Sequence, residues 1–323
     1  MRTGKLSSEE LKNNVLDIIR HRRKEVVCGA FLGEDCASFS CDGLMLISTD
    51  PITAETSEIG KLAIQVSVND IIAGGGEPVL CMLTIIAPTT ATADDIKRVM
   101  LDAESEAEKS NLEIVGGHTE FSSAVNRMIV NCVVIGKTSE HVSSRALRDG
   151  DSVIVTKNLG LEGTKILAEK YEEILDLTEE EKKELATYSD VLSIKQEGNA
   201  VKNLEVHAMH DVTEGGIYGA IAEIAEGANK GIEIIEERVP FTALTLKICD
   251  KLKIDPYRLI SSGSLIIVTP VEKDVLNALA DSGVKGTVIG KIVGEKPIAI
   301  SKNGRTELKV TVDELFRDEG DRL

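Results

Sequence analysis

Residues 59–78, IGKLAIQVSVNDIIAGGGEP, constrain this chain more than any other stretch. Ile59, Leu62, Ala63, Val66 and Ala73 recur near the helical period, which gives a helix one apolar face. Gly74, Gly75 and Gly76 end that helix, because glycine accepts the left-handed cap conformation, and Pro78 keeps it from resuming. Asp70 is out of place. A carboxylate in the last turn faces the negative end of the helix dipole, at a cost of up to ~1 kcal/mol. Either a cation or a buried hydrogen-bond network offsets that cost, or Asp70 is a solvated side chain near a helix end.

The elements on either side follow from periodicity and punctuation. Residues 7–24 read as a helix, with Ser7 or Ser8 as cap, Glu9 and Glu10 in its first turn and basic residues at its end. Residues 37–40 and 44–48 read as short strands around a turn at Asp42-Gly43. A continuous apolar run at 79–86 predicts a buried strand, 93–110 an amphipathic helix, 113–115 a short strand running into GGHTEF, and 127–136 another strand. The apolar pattern lapses over 138–150, which places a domain boundary there and predicts domains at 1–144 and 145–323. In the second half, strands are expected at 152–156, 205–210, 232–235, 264–269, 286–290 and 297–300. Helices are expected at 163–171, 178–185, 217–227, 244–251 and 272–280. The alternation is α/β or α+β. It lacks the clean strand–helix–strand rhythm of a dinucleotide-binding fold.

Charge and composition exclude several classes. A net charge of −17 over 323 residues argues against nucleic acid, and an anionic substrate then needs metal ions between it and the protein. No apolar run approaches the ~18 residues of a membrane span, and the charged first twenty residues lack a secretory apolar core. Six cysteines are scattered without a CxxC pair, as expected of thiols in a reducing cytoplasm.

The chain has neither a GxxxxGK[ST] loop nor a strand-borne GxGxxG, so a nucleotide needs another cradle. Polar clusters beside glycine or proline recur at predicted element ends. They are Gly33-Glu34-Asp35-Cys36-Ala37, Thr49-Asp50-Pro51, Asn69-Asp70, Gly116-Gly117-His118-Thr119-Glu120 and Asp211-Val212-Thr213-Glu214-Gly215-Gly216. Magnesium takes hard oxygen ligands, so three aspartates from separate loops suit metal ions bridging a polyphosphate. Each cluster alone also reads as an ordinary turn. In DVTEGG, a strand ending at Asp211, Thr213 as a candidate N-cap and two glycines opening a helix would present backbone N–H groups to an anion. The alternative is a tight strand-to-helix connection. His118 reads as metal ligand, acid/base or hydrogen-bonded structural residue, whereas His207 and His210 carry no functional reading. Cys36 has no partner at nucleophile spacing and reads as a core thiol.

In order and spacing these clusters resemble the ATP-binding superfamily of aminoimidazole ribonucleotide (AIR) synthase, thiamine-monophosphate kinase, selenophosphate synthetase and the hydrogenase maturation factor HypE. GEDCA is similar to the family's GDDAA, STDP to its TTD, the 59–78 stretch to the helix carrying its Asn-Asp pair, and GGHTE to its GGDT or GGET loop. LRDGDSVIVTKNLGLEGTKIL resembles the opening of its second domain and DVTEGG its DxTxGG turn. The resemblance implies two domains, an N-terminal α/β domain forming a β-barrel across a homodimer and a C-terminal α+β domain. It implies ATP with magnesium in a cleft, Asp35, Asp50 and Asp70 as metal ligands, and Asn69 with Gly116, Gly117 and Thr119 on the nucleotide. Asp211, Gly215 and Gly216 would line the cleft. The register is nearest to HypE-like chains, but this one ends LFRDEGDRL without a terminal cysteine, and Glu120 replaces a lysine. Ser262-Gly263 stands where HypE has a Glu-Gly pair, and His118 where thiamine-monophosphate kinases have an aspartate. These departures imply a small-molecule acceptor other than the chain's own tail, met by His118 and Glu120. They leave two alternatives, a small-metabolite kinase and a non-catalytic ATP-binding maturation or scaffold partner.

Overall fold

The computed structural model describes residues 4–5, 7–30, 37–53, 58–310 and 312–316. The chain divides into the units Met1–His141 and Val142–Leu323. In chain order the first holds β1 (Gly4–Lys5), α1 (Ser8–Asn14), β2 (Val26–Cys28), β3 (Ser38–Phe39), β4 (Leu44–Ile52), α2 (Ile59–Ala73), β5 (Glu77–Pro88), α3 (Ala93–Ser110), β6 (Glu113–Ser122) and β7 (Ile129–Thr138). Five strands form one sheet in the order β1-β6-β5-β7-β4, while β2 and β3 make a separate ribbon. Only β5 and β6 run parallel, because α3 carries the chain back between them; β1–β6, β5–β7 and β4–β7 are antiparallel.

Helix α2 ends as its glycines dictate. Gly75 takes the left-handed conformation (φ +77), and Gly76 N–H donates to Ile71 O at 2.8 Å. Helix α3 opens on a capping box between Thr92 and Asp95 and closes on left-handed Asn111. The two helices share one face of the sheet, and Gly60 makes their close crossing possible: a Cβ there would lie 2.1 Å from Val99 O. On the opposite face, strand alternation leaves Met45 and Ile47 of β4 and Met82 of β5 exposed, Ile47 at 69%.

The helix expected over 7–24 is corrected. It stops at Asn14, a short 3₁₀ turn covers Leu16–Ile18, and the chain then extends. Tertiary hydrogen bonds replace the helical ones. Glu104 accepts from the backbone N–H of Arg20 and of His21, each at 2.6 Å, and Glu113 accepts from that of Arg23 at 2.5 Å. Arg23 is buried and paired with Glu25 and Glu77, and the Arg23 guanidinium, helped by Lys137, holds the Glu25 carboxyl down at about 2.

The second unit contains β8 (Ser152–Thr156), α4 (Leu161–Lys170), α5 (Glu172–Leu175), α6 (Glu179–Ala186), α7 (Lys195–Val201), β9 (Ala208–Asp211), α8 (Gly216–Ala228), β10 (Ile232–Ile235), α9 (Ala243–Lys251), β11 (Leu265–Thr269), α10 (Glu272–Asp281), β12 (Gly286–Ile292), β13 (Pro297–Ser301) and β14 (Gly304–Glu307). Its seven strands run in the order β14-β13-β10-β12-β8-β11-β9. Strands β8 and β11 are buried at every position, which is why both read as unbroken runs and not as alternations. Helix α8 packs Ile217, Ile221 and Ile224 into the same core as Val153, Val155, Ile266 and Val268. A second cluster joins Leu161 and Leu167 of α4 to Leu244 and Ile248 of α9.

Gly60→Ala forces α2 and α3 apart and is expected to cost about 1–3 kcal/mol, the usual range for overpacking, read as a lower denaturant midpoint at unchanged slope.

Candidate functional site

Strand β4 runs through Asp50 to Ile52, past the 44–48 expected, so Asp50 belongs to a strand and not to a turn. Alternation then turns Leu46, Ser48 and Asp50 toward α2, while Thr49 points to the other face and meets Asn131. The last turn of α2 sets Asp70 against this row, and the Ser48 hydroxyl donates to Asp70 Oδ2. Burial first, then contact with and repulsion from Asp70, push the Asp50 carboxyl up to about 7. Asp50 Oδ2 is buried and has no hydrogen-bond partner among the described residues.

Two carboxylates and a hydroxyl in one partly buried place are a hard-oxygen donor set. Their mutual repulsion is relieved by a shared proton or by a cation between them. The Ser48 hydroxyl offsets part of the cost of the misplaced Asp70 charge, and Asp50 with Asp70 is a donor set of the kind magnesium takes. Ser48, which the sequence reading left unassigned, joins them; its signal was the alternation continuing two residues to Asp50. Asn69, which precedes Asp70 in α2, is buried at 1% exposure. Asp35, like Cys36, lies outside the described residues.

GGHTE, expected in a loop after a short strand, is corrected: it lies inside β6. Parallel pairing with β5 continues through Thr84↔His118 and Ile86↔Glu120. Gly117 (φ +151) is required there because a Cβ would fall 1.8 Å from Leu83 O. Strand packing therefore accounts for this glycine. His118 and Glu120 share the face away from the helices, with Nε2 and Oε2 3.3 Å apart and side chains 42% and 35% exposed. Gly116 is on the same face, whereas Thr119 is buried on the other. The His118–Glu120 pair and the Asp50–Asp70 pair thus occupy opposite faces, on strands separated by β5 and β7.

In the second unit, β9 ends at buried Asp211 and α8 begins at Gly216, as DVTEGG implied. Thr213 is not the N-cap. Left-handed Gly215 (φ +79) takes that position, and Gly216 N–H donates to Thr213 O. The exposed anion cradle is also corrected. Gly215 N–H donates to Asp313 Oδ2 at 2.7 Å, so a carboxylate of the chain itself sits at this helix start. Burial raises Asp313 to about 6 despite that bond. No local spacing announces a partner 98 residues away. His207 lies between Asp151 (2.7 Å) and Glu205 (3.1 Å), a structural bridge.

Because folding raises the Asp50 carboxyl, the native metal-free protein binds the proton more tightly than the unfolded chain. That contribution is fully present below about pH 4 and is lost as pH rises from there to about 7. Asp50→Asn is therefore expected to raise the thermal midpoint of the metal-free protein at pH 8 and to flatten its fall between pH 5 and 8, measured by scanning calorimetry in chelator.

Among the described residues no helix is long and apolar enough to cross a membrane. The carbamoyl dehydratase HypE of Rhodobacter capsulatus is 28% identical over 258 residues, covering 76% of this chain and 73% of that protein. A crystal structure of the hydrogenase maturation protein HypE in complex with ATP superposes with a TM-score of 0.82 at 22% identity, covering 96% of each chain. AaThiL complexed with AMPPCP and TMP gives a TM-score of 0.67 at 22% identity, covering 79% of this chain and 83% of that one. Both share its two-domain fold. The N-terminal and C-terminal domain models of the AIR synthase related proteins match residues 33–138 and 148–302, and the chain belongs to that family, HypE-like in its relatives.

Proposed function

We propose that this protein is a magnesium-dependent enzyme that uses ATP to phosphorylate or otherwise activate a small acceptor. The observation that carries the reading is the Asp50–Asp70 pair, two carboxylates held in contact with one buried oxygen of Asp50 lacking a hydrogen-bond partner among the described residues. Phosphoryl transfer asks mainly for positioning and charge neutralisation. Magnesium on these carboxylates would supply the neutralisation for the nucleotide's phosphates. Asp50 and Asp70 hold their charges fixed between a strand and a helix, and Ser48 orients Asp70. Asp35 is the third proposed ligand on sequence grounds, and Asn69 and Thr119 the proposed nucleotide contacts, whereas Gly116 lies on the opposite sheet face and strand packing accounts for Gly117. ATP in the HypE complex and AMPPCP in AaThiL support the choice of nucleotide.

His118 and Glu120 are proposed to meet the acceptor at a second copy's nucleotide, because within one copy they lie on the sheet face away from the Asp50–Asp70 pair. Their sheet face also carries exposed Met45, Ile47 and Met82, an apolar surface of the kind that a second copy covers. A homodimer closed across this face places His118 and Glu120 at its interface. A maturation-protein partner remains the reading if ATP binds without turnover.

Calorimetric titration of ATP with and without magnesium, followed by assay of ADP formation over a panel of small carboxamides and phosphate acceptors, tests the reading. Asp70→Asn is expected to weaken magnesium-dependent ATP binding ~10-fold or more, about 1.4 kcal/mol. ATP binding unchanged by that substitution removes the metal assignment. A phosphorylated metabolite as product selects the kinase alternative, and tight binding with negligible ADP formation selects the scaffold alternative. For the dimer, Ile47→Glu is expected to shift the sedimentation coefficient from dimer to monomer, and an unshifted dimer places the interface elsewhere.

A further inference from the structure

Lys157 follows β8 with a left-handed backbone (φ +57), a conformation that side-chain-bearing residues adopt at a cost. The ammonium it delivers is surrounded by oxygen. Nζ lies 3.0 Å from Val191 O, 2.7 Å from Ser193 O and 2.9 Å from Gly263 O. Glu197 Oε1 is 2.7 Å away, on a side chain that is 0% exposed.

An ammonium has three N–H donors, and here three carbonyls and the Glu197 carboxylate compete for them. Glu197 also supplies the opposing charge. Four oxygens around a nitrogen with three protons form a coordination shell more than a hydrogen-bond set. Three neutral carbonyls and one carboxylate at these separations suit a large monovalent ion. Magnesium would demand an octahedral shell at about 2.0–2.1 Å.

The walls come from separate parts of the chain. Val191 and Ser193 precede α7, Glu197 lies in its first turn, and Gly263 precedes β11. They already touch one another: a Cβ on Gly263 (φ +95) would lie 2.4 Å from Val191 O. The same turn closes onto the segment after Lys157, through Gly160 N–H to Ser261 Oγ at 2.7 Å and Ser264 Oγ to Asn158 O at 3.3 Å.

We propose that these four oxygens are a monovalent-cation site which the chain fills with its own ammonium, and that the same shell takes potassium or ammonium ion once the lysine is gone. Lys157 is then a tethered cation that frees the second unit from dependence on the salt around it. The inference does not rest on the nucleotide reading.

Thermal unfolding of the full chain in potassium, ammonium, lithium and tetramethylammonium chlorides at equal ionic strength tests it. The wild-type midpoint is expected to be the same in potassium and tetramethylammonium. Lys157→Ala is expected to lose roughly 10 °C in tetramethylammonium and to recover most of that in potassium or ammonium but not in lithium. Lys157→Met, which fills the shell with an apolar chain, is expected to lose stability without recovery in any salt. Crystals of Lys157→Ala soaked in thallium(I) are expected to show an anomalous peak among the four oxygens. Equal loss for Lys157→Ala in every salt, no loss in any, failure to fold even in potassium, or no thallium at the shell would each overturn the proposal.

Discussion

The N-terminal unit depends on the enclosure of α2. This helix packs on the sheet along one side and on α3 along another, and eleven of its 15 residues are buried, including the polar Gln65, Ser67 and Asn69. Enclosure on two sides requires close approach, and glycines provide it on both. Gly60 lets the backbone of α3 approach, and Gly136 in β7 makes room for Ile71, whose Cγ2 would meet a Cβ there at 2.3 Å. The end of α2 is thereby fixed against β4 with little room to adjust. The contact between Asp70, Ser48 and Asp50 is a consequence of that packing.

This rigidity explains how like charges come to be held together. Two carboxylates free to move would separate in water. Anchored on a buried helix and a paired strand, they cannot, and partial burial weakens the screening by solvent. The strain appears as the raised Asp50 carboxyl. A shared proton or a cation relieves such a pair, and its position on the helix side of the sheet leaves the opposite face free for other contacts. His118 and Glu120 lie on that other face, beside exposed apolar residues of β4 and β5.

The second unit handles charge differently, by supplying counter-groups from its own chain. Asp313 occupies the start of α8, and Lys157 occupies a shell of four oxygens. At the start of α8 a backbone pattern that reads as an open anion site is filled from elsewhere in the sequence, and around Lys157 the chain's own ammonium meets the buried oxygens. The reason is energetic: buried N–H and C=O groups need partners, and a tethered charge satisfies them without the entropy lost in capturing a free ion.

Local chemistry was legible from the residues alone. The Gly-Gly-Gly-Glu-Pro stop, the strands β8 and β11, the amphipathic helix α3 and the strand-to-helix passage at DVTEGG are all determined by interactions within a few residues. The misfit of Asp70 against the helix dipole was legible too, as a cost that needed offsetting. What the residues alone did not determine were the outcomes set by distant partners. The helix expected over 7–24 gave way because Glu104 and Glu113 offered better acceptors to its backbone. GGHTE became strand because pairing with β5 outweighs the turn preference of two glycines. Asp313 reached Gly215 across 98 positions. Spacing along a chain fixes which side chains share a face of an element. Only packing decides which faces meet, and here that decision brought Asp50 to Asp70, set His118 and Glu120 on the far side of the sheet, and closed four oxygens around Lys157.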